Sequence, residues 1–220
     1  MDGRLWGVIV DSFDKLLIPG LTVTIPLTLI SFVVGLALAI AVALVRVAKV
    51  PVIQRIAQFY VWVFRGTPLL VQLFVIFFGL PSVGIVVPAF PSAIIAFSLN
   101  VGAYASETLR GAILAVPKGQ IEAGLTTNQN YLTIMRLIVL PQAFRSAFPA
   151  LFNTVISLVK DTSLAANITV AEMFMAAQRI VATTYEPLVL YCEVVRIYLA
   201  LCTVLTWLQG ICERQLAKRF

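Results

Sequence analysis

Long apolar runs separated by short polar ones constrain this chain more than any other feature. Of its 220 residues, 60% are hydrophobic and only 12% are charged. A helix needs about 20 mostly apolar residues to cross a bilayer. Lipid offers no water, so every backbone polar group must find its partner within the chain. The runs show no strand-like alternation. The expected fold class is therefore an all-α, polytopic membrane protein, built as a single transmembrane domain over residues 1–220.

Five spans are predicted: roughly Pro19–Val45, Gln58–Leu80, Pro91–Val116, Pro141–Ala166 and Pro187–Trp207. The apolar stretch Leu69–Leu80 is too short alone, so the second span must take in Arg65-Gly66-Thr67-Pro68, with Pro68 tolerated inside it. The opening residues carry Asp2, Asp11 and Asp14 and do not read as a cleavable leader. The first span is expected to stay in the mature chain.

Lysine and arginine mark the cytoplasmic side of a membrane protein. Arg46, Lys49, Arg55, Lys118, Arg136, Arg214, Lys218 and Arg219 fall on one side of the predicted spans; Arg4, Lys15 and Arg179 fall on the other. The expected orientation has the N-terminus outside and the C-terminus inside. The net charge of +6 then reflects topology and implies no nucleic acid. The chain has no His, and Cys192, Cys202 and Cys212 are spaced around one helix, so no metal site is expected.

One polar segment, about residues 117–140, interrupts the apolar pattern between spans three and four. Pro117 suits a helix start, Glu122 suits the early turns, Thr126-Thr127-Asn128 reads as a turn, and Tyr131–Val139 reads as a second helical piece. By itself this is a solvated loop helix. Its pattern is more specific: Glu122-Ala123, then Asn128, then Ile138-Val139-Leu140-Pro141 resembles the cytoplasmic "EAA…G…I-LP" loop of ABC importer permeases. Two residues depart from that pattern. Gly124 stands for the second Ala and lowers helix propensity by about 1 kcal/mol. Asn128 stands for the Gly, and Asn is the best non-glycine residue for a left-handed turn.

Three further stretches resemble the polar amino-acid branch of that family: Phe64-Arg65-Gly66-Thr67-Pro68-Leu69-Leu70-Val71-Gln72-Leu73, Ala103-Tyr104-Ala105-Ser106-Glu107-Thr108-Leu109-Arg110-Gly111-Ala112, and Lys160-Asp161-Thr162-Ser163-Leu164. The run of motifs is similar to cystine permeases. The resemblance implies a permease subunit of an ATP-driven importer for polar amino acids in a bacterial cytoplasmic (inner) membrane. It implies a second permease copy, forming a homodimer, an ABC ATPase dimer and an extracytoplasmic solute-binding protein. Glu122, Ala123, Gly124 and Asn128 would form the ATPase coupling element. No G-x-x-x-x-G-K loop is present, so this chain is not expected to be an enzyme or to hold a cofactor; ATP and Mg would belong to the partner.

Ionisable groups in spans face a partner or a cavity. Glu107 can pair with Arg110 on its own helix or with Arg65 on the second. Glu193 and Arg196 share the same three-residue spacing. Lys160, Asp161, Thr162 and Ser163 supply a cation, an anion and two hydroxyls, either as an internal pair or as a site for a zwitterion. Thr154 and Asn153 lie about two turns away, Thr154 on the face of Asp161. The resemblance favours a substrate-path site for Lys160 to Ser163, and the spacing adds Thr154 and Asn153 as contacts for the substrate side chain. With no second acid there, a neutral polar substrate is expected. Two other classes fit the apolar pattern alone: an ion-coupled secondary transporter, which would predict inverted repeats, and a non-transporting membrane scaffold.

Overall fold

The computed structural model describes residues 3–48 and 50–218. Lys49 and Arg219, two of the cations that set the expected orientation, lie outside the described residues. Among the described residues every regular element is helical. Helix α1 (Gly3–Pro19) passes through a π-helical turn, Gly20–Thr24, into α2 (Ile25–Ala48). Together Arg4–Ala48 make one 45-residue helix, so the predicted first span is only its C-terminal part. Next come α3 (Pro51–Gly66) and α4 (Leu69–Phe74), which runs on through a π turn (Val75–Gly79) and a 3₁₀ turn (Leu80–Val83). Helix α5 (Ala89–Ala115) matches the third predicted span. The polar segment holds α6 (Lys118–Thr126) and α7 (Tyr131–Ile134); a π turn, Met135–Val139, joins α7 to α8 (Leu140–Asp161). A 3₁₀ turn (Thr162–Ile168), α9 (Met173–Thr184) and α10 (Pro187–Lys218) complete the chain. Helix α9 was not anticipated; it occupies the connection between the last two predicted spans.

Among the described residues, three helices are long and apolar enough to cross a bilayer: Arg4–Ala48, Ala89–Ala115 and Pro187–Leu216. The bent pair Pro51–Gly66 and Leu69–Val83 makes a fourth if it counts as one span. Helix α8 has the length, at 22 residues, but Gln142, Arg145 and Asn153 dilute its apolar character.

Each π turn is followed, two residues on, by a proline: Pro26, Pro81 and Pro141. A proline in a regular helix removes one backbone hydrogen bond and presses on the carbonyl four residues back. The wider turn, closed by Ile25 N–H to Gly20 O, Leu80 N–H to Val75 O and Leu140 N–H to Met135 O, relieves both. Leu140-Pro141 therefore does not end the second helical piece of the polar segment. The chain stays helical from Tyr131 to Asp161.

The second predicted span is corrected by the structure. Thr67 and Pro68 both adopt extended backbone (φ −123°, ψ 148° and φ −64°, ψ 136°), and the two halves meet at 108°. The residue before a proline is pushed out of the α region, and Gly66 does nothing to resist the break. Val63 O accepts from Thr67 Oγ1 at 2.8 Å, and two carbonyls at the break are caught by Gln72. Its buried Nε2 donates to Phe64 O at 2.9 Å, Thr67 O at 3.1 Å and Thr67 Oγ1 at 2.9 Å. Asn100 Nδ2 on α5 donates in turn to Gln72 Oε1 at 3.1 Å.

Helices α2 and α5 form the centre of the fold through small residues, as helices in lipid commonly do. A Cβ on Gly35 would lie 2.8 Å from Val101 Cβ and 2.9 Å from Ser98 O. Ser98 Oγ donates to Ser31 O at 3.2 Å. Ala39, Ala43, Ala93, Ala96 and Ala105 are buried around the contact, and α8 packs its Ala143, Ala147 and Leu151 against the same core. A second cluster joins α1 to α9 and α10 through Leu16, Met173, Ala177, Val194 and Ile197. Glu172 fixes the start of α9 by accepting from Phe174 N–H at 2.8 Å and Met175 N–H at 2.7 Å.

The polar segment folds as its sequence predicts. Helix α6 ends with Asn128 at φ +59°, the left-handed conformation that terminates many helices. Asn128 N–H donates to Leu125 O at 3.0 Å and Gln129 N–H to Gly124 O at 3.2 Å. Asn130 then caps α7, its Oδ1 accepting from Thr133 N–H at 2.8 Å. Gly124 is explained by packing: a Cβ there would meet Ile134 Cγ1 at 2.7 Å, and Ile134 is fully buried. The residue that weakens α6 as a helix lets it sit down on α7.

Two outcomes are expected. Replacing Gln72 by Leu removes its hydrogen bonds to Phe64 O and Thr67 O at the break. It should cost about 1–3 kcal/mol, read as a lower midpoint in thermal denaturation of the purified protein; an unchanged midpoint would show the bend is held by something else. Asn128→Gly should leave the polar segment intact, whereas Asn128→Val should cost about 1–3 kcal/mol locally, seen as faster amide hydrogen exchange across residues 118–134. Equal exchange in the two variants would contradict the left-handed turn.

Candidate functional site

The bend, α5 and α8 line an open cavity of about 500 Å³. Thr67, Pro68 and Leu69 contribute from the bend. Asn100 and Tyr104 contribute from α5, and Asn153, Thr154, Ser157 and Asp161 from α8. Phe97, Val101, Leu158 and Leu164 fill the apolar remainder of the wall. Asn153, Ser157 and Asp161 are spaced i, i+4, i+8, one stripe of a helix. Among the lining residues Asp161 carries the one formal charge. The cavity is thus a polar, mildly anionic recess surrounded by apolar walls, the form expected of a small-molecule site.

Of the six residues predicted for a substrate path, the structure brings Asn153, Thr154 and Asp161 onto this wall and leaves three off it. Lys160 is exposed and turned away, because neighbours on a helix point about 100° apart. Thr162 is fully buried and donates to Val159 O at 2.6 Å. Ser163 Oγ donates to Lys160 O at 2.7 Å. The tightening into a 3₁₀ turn after Asp161 spends both hydroxyls on the chain's own carbonyls. A cation and an anion from one copy therefore do not face each other across this cavity. Thr67, Asn100, Tyr104 and Ser157 were missed. The helical spacing from Asn153 through Ser157 to Asp161 was a usable signal. Asn100 had none, because its place follows from the Gln72 bond.

The ion pairs expected within the spans are partly redrawn. Glu107 Oε2 accepts from Arg110 Nε at 3.1 Å and Nη2 at 2.9 Å, as the spacing predicts. Its other oxygen takes Arg46 of α2, a residue the sequence placed among loop cations. Arg65 does not join this group: its guanidinium lies over the Tyr104 ring, 5.3 Å from the centroid, where a cation is attracted by the ring face. Glu193 is buried and bonded to Ser12, whose Oγ donates to Oε2 at 2.6 Å.

On the polar segment, Glu122 and Ala123 are exposed while Gly124 is buried. Leu125, Tyr131 and Leu132 are also exposed, Leu132 at 76%. An ordered helix pair thus presents a carboxylate beside uncovered apolar side chains.

Comparison with known proteins agrees with this architecture. The family of binding-protein-dependent transport system inner membrane components matches residues 31–218. The L-cystine transport system permease protein TcyB of Bacillus subtilis (strain 168) is 49% identical over 96% of this chain and 91% of its own. The arginine transport system permease protein ArtQ of the same organism is 36% identical over 91% of this chain and 92% of its own. Among solved structures, a crystal structure of an amino acid ABC transporter with histidines superposes with TM-score 0.88 at 32% identity, covering 94% of this chain and 96% of that one. The MetNI methionine ABC transporter shares the fold, with TM-score 0.71 at 20% identity over 98% of this chain and 99% of that one. The chain belongs to the binding-protein-dependent transport system inner membrane component family and is a permease subunit of an ABC importer.

Proposed function

We propose that this permease carries a neutral polar amino acid, cystine foremost, and that the cavity around Asp161 is where the cargo passes. The observation that carries the reading is the lone carboxylate of Asp161 on a wall otherwise made of amide, hydroxyl and apolar groups. An α-ammonium group finds its counter-charge there, and Asn153, Thr154 and Ser157 offer hydrogen bonds to the rest. A substrate with a cationic side chain would need a second acid, and this wall has none. The identity to an L-cystine permease supports the same cargo.

The cavity is open on one side in the single chain, which a second copy of this permease would close. We place the N-terminus outside and the C-terminus inside, with five spans: α1–α2, the bent pair, α5, α8 and α10. In that orientation α6 and α7 lie at the cytoplasmic surface. Glu122, Ala123 and the exposed Leu125 and Leu132 form the face on which an ABC ATPase docks; Gly124 and Asn128 hold that face in shape from beneath. An extracytoplasmic binding protein delivers the amino acid, and ATP and Mg bind in the ATPase.

Uptake and ATP hydrolysis separate the two sites. In vesicles holding the assembled transporter, Asp161→Asn should lower cystine uptake at least tenfold while leaving basal ATPase activity in place, since a charge-assisted contact contributes about 1.5–3 kcal/mol. Labelled arginine competing better than cystine would overturn the choice of cargo. Glu122→Lys should leave membrane insertion normal but abolish the rise in ATPase activity that a loaded binding protein causes. Normal stimulation and uptake in that variant would move the docking contact elsewhere on the chain.

A further inference from the structure

A second cavity, about 460 Å³, lies on the far side of the molecule as a groove between the α1–α2 helix and α10. Leu17, Leu21 and Ile25 form one bank, and Leu201, Val204 and Leu205 the other. The two helices run in the same direction, since Arg4 meets Glu186 and, further along both, Ser12 bonds Glu193. From Ile9 to Ile25 the groove extends about 24 Å at 1.5 Å per residue, longer than the roughly 15 Å that one acyl chain fills in half a bilayer.

One end of this groove is polar. Glu193 and Arg196 both line it there. Glu193 is only 3% exposed. Ser12 occupies Oε2, but Oε1 is buried with no hydrogen-bond partner, and an unpaired buried carboxylate oxygen is costly. Arg196 is exposed. At the same level α1 carries the exposed pair Lys15–Asp11, 2.6 Å apart. From Leu16 to Val45, and from Ile197 to Cys212, neither helix has a charged residue. The polar end thus sits at headgroup depth and the apolar banks run into the hydrocarbon.

We infer that this groove is a binding site for one phospholipid bearing an ethanolamine headgroup. Its acyl chain lies between the leucine banks, its phosphate accepts from Arg196, and its ammonium donates to Glu193 Oε1. The paired charges of the headgroup match the Glu193–Arg196 pair in sign and order, which neither a single detergent tail nor an apolar helix of another protein would do. The orientation proposed above puts the lipid in the outer leaflet, but the site does not depend on that assignment.

The test is native mass spectrometry of the assembled transporter, stripped of lipid in detergent and titrated with dioleoyl phosphatidylethanolamine, phosphatidylcholine or phosphatidylglycerol. The native protein should retain the ethanolamine lipid about tenfold better than the choline lipid, whose methylated nitrogen cannot donate a hydrogen bond. Glu193→Gln should level the two. Ala200→Phe fills the groove without touching the Ser12–Glu193 bond, and should reduce retention of all three lipids, which keeps the test valid if Glu193→Gln fails to fold. Equal retention of ethanolamine and choline lipids by the native protein would overturn the inference. So would a preference that survives Ala200→Phe, or a cross-link from position 201 to a second protein chain.

Discussion

A proline that follows a threonine out of the α region forces α3 and α4 to meet at 108°, and the freed carbonyls must be paired inside a bilayer. Gln72 pairs Phe64 O and Thr67 O, and its own Oε1 accepts from Asn100. That one chain of bonds fixes where the bent pair sits against α5. It places Thr67 and Pro68 over the cavity and turns Asn100 into its wall. The cavity is therefore a by-product of satisfying a broken backbone, which is the condition lipid imposes on every irregular segment.

The rest of the packing follows from close approach. Gly35 and the alanines of α2 and α5 bring two long helices near enough for Glu107, already paired with Arg110 on its own helix, to reach Arg46 on the other. Two guanidinium groups around one carboxylate leave a net positive end to this helix pair. Arg65, with no acid left to it, rests on Tyr104. Tyr104 also lines the cavity, so the cationic cluster and the proposed cargo site share one aromatic ring.

Much of this was legible in the sequence. The helical class, the third span, the two-part polar segment and the left-handed role of Asn128 all follow from residue pattern and backbone preference. What failed did so for definable reasons. Hydropathy saw Leu69–Leu80 as half of a straight span because it does not weigh the backbone limit at Thr67–Pro68. Of Lys160 to Ser163, the helix brings Asp161 to the cavity and leaves Lys160 exposed, and the 3₁₀ turn engages the Thr162 and Ser163 hydroxyls. Gly124 read as a departure from a pattern, while its cause was the side chain of Ile134, ten residues on. Arg46 was counted as a loop charge because its carboxylate partner lies on another helix.

The π turn before Pro141 has a mechanical meaning. Because it absorbs the proline without breaking the helix, Tyr131 to Asp161 is one strut whose lower end belongs to the polar segment and whose upper end carries Asn153, Ser157 and Asp161. From Val139 to Asp161 that strut is about 33 Å long. A tilt of about 5° about the π turn would swing Asp161 by about 3 Å. That is roughly the reach of a hydrogen bond, so a small rocking at the polar segment would be enough to make or release a contact at the far end of α8.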